Sequence, residues 1–134
     1  MKRNMDLLRE LMLKLEVLPV PTTTFRMIHG HEDEVRIDGY TVEEIDYHLS
    51  LLDQAGFIHA GGLDFGMGID IGGTAFRGLT WAGHDFIDSV RSKDVWDQTK
   101  VAAAKVGGFT VDILVTAAKA YVQRKFTEFL SGPH

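Results

Sequence analysis

Between Tyr40 and Phe57 the apolar residues recur at helical spacing. Val42, Ile45, Leu49 and Leu52 share one face and polar residues fill the other. Thr41 with Glu44 three residues on is a capping box, and Tyr40 before the cap can staple onto Ile45. Gly56 supplies the left-handed stop, and Phe57-Ile58 starts an extended segment. Upstream, Leu8, Leu11, Met12 and Leu15 predict a helix over 4–16, capped by Asn4, with Arg9, Glu10, Lys14 and Glu16 on its wet side. Pro19 and Pro21 end it. Phe25 to Ile28 is ambiguous, His29 to Glu34 reads as a polar loop, and Val35-Arg36-Ile37 alternates as a short strand closed by Asp38-Gly39.

From Phe57 to Thr80 short apolar pieces alternate with Gly-Gly pairs at 61–62 and 72–73, the pattern of a meandering β-hairpin. Thr80 caps a further helix with Trp81, Phe86, Ile87 and Val90 as its apolar positions. A polar joint follows at Ser89. Asp94 is placed to cap a helix over Trp96 to Val106, and Gly107-Gly108 breaks it. The last helix runs from about Thr110 to Leu130. Its apolar band is wide, which fits either a completed monomer core or a second subunit packed through Leu114, Ala118, Tyr121, Phe126 and Phe129.

Composition narrows the function classes. The chain has 134 residues, of which 45% are hydrophobic, enough for one core. Its formal net charge of -5 gives no global field toward nucleic acid or anionic lipid. Without cysteines there is no disulfide, thiol catalysis or cysteine zinc site. Asp6, Arg9 and Glu10 interrupt what a signal peptide would need as an apolar run, and no stretch reaches a membrane span. A soluble, cytoplasmic protein is expected.

Three pieces carry a resemblance: M-K-R-N-M-D-L-L-R-E at the start, Y-H-L-S-L-L-D-Q-A-G-F-I in the middle, and L-T-W-A-G-H-D-F-I-D followed by V-W-D at 95–97. Their order and spacing resemble a family of small bacterial and phage proteins catalogued as a domain of unknown function, family 2513. More loosely, H-L-x-x-L-x-x-x-G-F-I, a hairpin and L-T-x-x-G look like the recognition helix, wing and closing strand of bacterial winged-helix regulators. The resemblance implies an α+β, winged-helix-like fold: helix, short strand, recognition-type helix and glycine-rich β-hairpin wing over 1–90, then a C-terminal helical extension over 91–134 that can serve as a dimerisation element. It implies a prophage or bacterial setting and carries over no catalytic residue. The interval before the recognition-type helix holds prolines, threonines and a strand where another helix is usual, so the domain is a variant.

On the recognition-type helix, Glu43, Asp46, Tyr47, Ser50 and Gln54 should face away from the core. From Ile37 to Phe76 there is no Lys or Arg, whereas Asp38, Glu43, Glu44, Asp46, Asp53, Asp64 and Asp70 all lie there. Affinity for duplex comes largely from cations replacing counterions on phosphate, so this surface repels DNA and suits a basic protein partner. The expectation is a non-enzymatic regulatory or interaction module that binds a protein through this acidic face. The alternative is a prophage-type DNA-binding regulator whose contacts come from Arg3, Arg9, Arg77, Arg91 and Lys93. Gly66 to Gly78 is similar to the phosphate-binding hairpin of sugar kinases, but that fold needs two lobes far larger than this chain, so a glycine-rich hairpin tip is the expectation and no cofactor is assigned. His29 and His31 lie in a carboxylate-rich loop and are the candidate metal ligands. A closed site needs two more, so no metal is assigned. His48, and His84 beside Asp85, lack a nucleophile motif and read as partly buried structural histidines.

Overall fold

Asn4, in extended conformation, accepts a hydrogen bond from the Leu7 N–H at 3.2 Å and starts helix α1, Met5–Leu15. Leu7, Leu8, Leu11, Met12 and Leu15 are buried as their spacing predicts. Arg9 departs from expectation: it is buried, with its guanidinium 2.9 Å from Glu10. Its stem lies next to Met5 and Met12 around the helix, so burying that edge takes the arginine along. The computed structural model describes residues 1–20, 23–59 and 73–132. It is an α+β protein of two compact units, Met1–Asp85 and Phe86–His134.

In the first unit, strand β1 (Arg26–Ile28) precedes helix α2 (Val42–Gln54). The segment Val35 to Ile37 is not a strand. The Val35 and Arg36 N–H groups both donate to the Glu32 carbonyl, at 2.9 and 2.8 Å, and Val35 is fully buried. One buried valine anchors a turn there, and three alternating residues carry too little signal to distinguish that from a strand. Helix α2 forms as predicted: both halves of the capping box are present, the Thr41 N–H to Glu44 and the Glu44 N–H to Thr41, each at 3.1 Å. Gly56 follows it at φ +74. Ile45, Leu49 and Leu52 have no exposure and Val42 is half-buried. Side chains buried to this extent contribute roughly 1.5–3 kcal/mol each.

After α2 come strands β2 (Ile58–His59), β3 (Thr74–Phe76) and β4 (Gly78–Leu79). They form two small antiparallel pairs, β1 with β3 (Met27 opposite Ala75) and β2 with β4 (Ile58 opposite Leu79). Thus 74–79 is one extended run whose first half pairs with β1 and whose second half pairs with β2. Arg77 joins the halves, donating its N–H to the His59 carbonyl at 2.9 Å. α1 packs on α2 and β4, and α2 on β2 and β3, which places the core of this unit between the helices and the strands. The wing expected between β2 and β3 spans residues 60–72, outside the described residues.

The unit boundary lies within helix α3, Trp81–Val90. Phe86, Ile87 and Val90 are buried as expected, but Trp81 is 85% exposed. At about 100° per residue Trp81 lies on the side of α3 opposite Phe86, Ile87 and Val90. In the second unit, helix α4 (Lys93–Lys105) is capped by Ser92 rather than Asp94, two residues earlier than predicted. Gly107, at φ +86, ends the turn after it, and helix α5 (Val111–Leu130) starts at Thr110, whose hydroxyl accepts the Ile113 N–H. α4 and α5 form the hairpin of this unit, burying Trp96, Thr99, Ala103, Leu114 and Ala118. Among the described residues no helix is long and apolar enough to cross a membrane.

Candidate functional site

The outward face of α2 is fixed by what holds its inward face. His48 is buried and both ring nitrogens are engaged. Nδ1 donates to the Glu44 carbonyl at 2.7 Å, and Nε2 accepts the Asn4 backbone N–H at 2.8 Å. Because an amide N–H can only donate, the hydrogen-bond network assigns the neutral ring with its proton on Nδ1. This histidine therefore ties the start of α1 to the middle of α2 and is structural. His84, by contrast, is exposed, in the first turn of α3.

With Ile45, His48, Leu49 and Leu52 inside, helical geometry turns Glu43, Asp46, Ser50, Asp53 and Gln54 to the opposite side. Glu43, Asp46, Asp53 and Gln54 are exposed, while Tyr47 and Ser50 are half-buried at the edge. Tyr47 meets His48 edge-on, ring centroids 5.5 Å apart. The Ser50 hydroxyl donates to the Tyr47 carbonyl at 2.6 Å, so it is already spent inside the helix. One oxygen of Asp46 accepts the Gly30 N–H at 2.6 Å. A Cβ on Gly30 would stand 2.8 Å from the Val42 carbonyl and 3.0 Å from Asp46, so glycine alone allows this approach. The loop before α2 is thereby pinned to the acidic face.

That loop is internally paired. Arg26 contacts Glu32 at 2.8 Å and Glu34 at 3.0 Å. The His29 N–H donates to Glu32 at 2.8 Å, with the ring Nδ1 3.3 Å from the same oxygen. Partial burial pushes the Glu32 carboxyl upward, but hydrogen bonds from Arg26 and from His29 outweigh it and hold Glu32 below the ordinary glutamate range. The hydrogen bond to Glu32, against some desolvation, raises the Arg26 guanidinium in turn. The His29 and His31 rings lie 5.2 Å apart and tilted. His29 is turned to Glu32 on one edge, and a Cβ on Gly73 would come within 2.6 Å of its Nε2. Among the described residues no group of three or more His, Asp or Glu is arranged to hold a metal ion.

The remaining candidates scatter. Arg3 and Arg77 are exposed, and Arg9 is buried. Arg91 pairs with Asp88 and Lys93 with Asp97, at 2.8 and 2.9 Å. Residues 66–72 of the kinase-like glycine run lie outside the described residues, and its remainder supplies β3, Arg77 and Gly78. Of the expected subunit contacts, Leu114 and Ala118 are consumed inside the α4–α5 hairpin, and the Tyr121 hydroxyl donates to Asp94 at 2.7 Å. That bond to Asp94 raises the Tyr121 phenol. Phe126 and Phe129 remain exposed. Sequence reasoning missed the fixing of Asp46 by Gly30. The H-G-H triplet hinted at a tight turn, but nothing local indicates its partner.

A family model described as Hypothetical protein (DUF2513) matches residues 2–110. A protein of Haemophilus influenzae (strain Rd), named only as an uncharacterized protein, is 30% identical over 131 residues, covering 98% of this chain and all of that one. No solved structure matches.

Proposed function

Since the chain belongs to the DUF2513 family, whose description assigns no activity, we propose from its own surface that it is a non-enzymatic interaction module of winged-helix-like type, binding a basic protein partner through the outward face of α2. The observation that carries this is the charge of that face. Glu43, Asp46 and Asp53 are exposed together with Gln54, Tyr47 supplies a half-buried aromatic edge, and no Lys or Arg occurs from Ile37 to Phe76. An aromatic edge within a ring of like charges suits a partner of the opposite sign, with the charges steering encounter and excluding wrong partners. The order of α2 and then the antiparallel pair β2–β4 supports the winged-helix-like reading. The electrostatics argue against phosphate as the ligand. Arg77 lies exposed at the strand joint, and the cations at Arg91 and Lys93 already have carboxylate partners.

The test is recovery of host proteins by the wild type against the charge reversal Glu43→Lys/Asp53→Lys and against Tyr47→Ala. A partner held by this face is expected with the wild type and lost with both variants. Equal recovery by all three removes the face from consideration. Titration with random duplex separates the alternative: binding at low salt that weakens steeply as salt rises would establish a DNA-binding regulator instead.

A further inference from the structure

Helix α5 outlasts the helix it packs on. α4 begins at Lys93, and the bond from Tyr121 to Asp94 marks where the antiparallel hairpin ends. The next nine residues of α5, 122–130, extend about 13 Å beyond α4 at 1.5 Å per residue. Four of its side chains are apolar and exposed: Val122 is 47% exposed, Phe126 54%, Phe129 79% and Leu130 66%. These residues do not form an isolated patch. Val111, Val115, Val122, Phe126 and Phe129 fall within about 60° of one another around the helix, at 100° per residue. Their edge adjoins the Leu114–Ala118–Tyr121 edge used by α4. Two adjacent edges account for the wide apolar band, and the hairpin covers one of them.

We infer that the second edge pairs with the same edge of another copy of this chain, α5 against α5, antiparallel, with the two-fold axis crossing the stripe at the level of residue 120. The stripe tapers toward its N-terminal end. Its N-terminal half carries Val111 and Val115, both half-buried, and its C-terminal half carries Phe126 and Phe129. A parallel pair would stack phenyl on phenyl at one end and leave the valines apart at the other. Antiparallel pairing sets Val111 against Phe129 of the partner subunit and Val115 against Phe126 of the partner subunit, so large meets small at both ends. A two-fold interface requires such self-complementarity. The exposed parts of the overhang side chains amount to roughly 400–500 Å² per protomer, taking 150–250 Å² for each whole aromatic. Doubled, that is about 800–1,000 Å², below the size of stable interfaces and in the range of weak, reversible ones. An anionic lipid surface is the weaker occupant. Lys119 and Lys125 flank the stripe, but the second unit carries seven Lys/Arg against five Asp/Glu, far from a polybasic anchor. The inference is independent of the acidic α2 face.

Sedimentation of the full chain from low to high micromolar concentration should show a monomer–dimer equilibrium. Phe126→Glu/Phe129→Glu should weaken it about tenfold or more, with helical content unchanged because both side chains are exposed. The chain has no cysteine, so the register can be read by cross-linking. An oxidised mixture of V115C and K125C should give the mixed disulfide, and neither variant alone should give a dimer, since like positions are too far apart in the antiparallel pair. Three results would overturn the inference: a monomer at every concentration, disulfide formation by V115C alone, or a monomer that instead co-sediments with vesicles of anionic phospholipid.

Discussion

His48 shows how one side chain can decide a packing arrangement. Its Nε2 takes the Asn4 N–H, which sits outside any helix ladder, while Nδ1 is satisfied within α2. Substitution His48→Leu keeps the volume and the apolar contact but strands that amide at the start of α1. The expected cost is about 1–3 kcal/mol, read as a lower urea midpoint with an unchanged slope. Glu32 makes a prediction of a different kind. Its carboxyl is held below the ordinary glutamate range by Arg26 and His29 against the opposing effect of burial. A lowered folded-state value means the ionised form is favoured by folding. Its contribution is therefore present above the unfolded value and is lost as the pH falls through the folded one. Glu32→Gln should destabilise at neutral pH and flatten the acid limb of the stability–pH curve. An acid limb identical to the wild type would show that Glu32 is not a titrating contributor. The sequence marked His48 as a partly buried structural histidine but not its partner at Asn4, and Arg26 is six residues from Glu32.

At the scale of elements, the structure explains why D-Q-A-G-F-I and L-T-W-A-G-H belong together. Gly56 ends α2, and its carbonyl receives the Thr80 hydroxyl. The Thr80 N–H donates to the Phe57 carbonyl at 3.0 Å, and the same hydroxyl accepts the Gly83 N–H at 3.0 Å. One threonine thus caps α3 and locks it to the end of α2. Gly83 is the cost of that closeness: a Cβ there would lie 2.2 Å from the Phe57 carbonyl oxygen, a backbone atom that cannot swing aside. Gly83→Ala, ordinarily favourable in a helix, should instead destabilise by about 1–3 kcal/mol through forced displacement of α3. A thermal midpoint equal to or above that of the wild type would contradict the packing described. Periodicity located every helix of the described chain, because burial on one face repeats every three to four residues. It failed at Val35 to Ile37, where a turn and a strand share the same three letters. It also failed at the start of α4, where Asp94 was read as the cap and Ser92, two residues earlier, holds that place.

For the molecule as a whole, charge and apolar surface divide between the units. Met1–Asp85 carries seven Lys/Arg and fourteen Asp/Glu, a net of -7; Phe86–His134 carries seven and five, a net of +2. The first unit offers the acidic α2 face and the second the uncovered edge of α5, so the two proposed contacts use different chemistry and can be abolished separately by the variants named above. The sequence by itself determined the helices, the caps at Asn4, Thr41 and Thr80, the stop at Gly56 and the acidity of α2, since each depends on residues within a few positions of one another. Only the tertiary structure decided which of those features remain available. It took Arg9 into the core, tied Asp46 to Gly30, filled both nitrogens of His48 and used Leu114 and Ala118 inside the hairpin. It left Phe126 and Phe129 uncovered, because α4 is shorter than α5. Periodicity marks a residue as apolar or polar, but what faces it comes from a distant part of the chain.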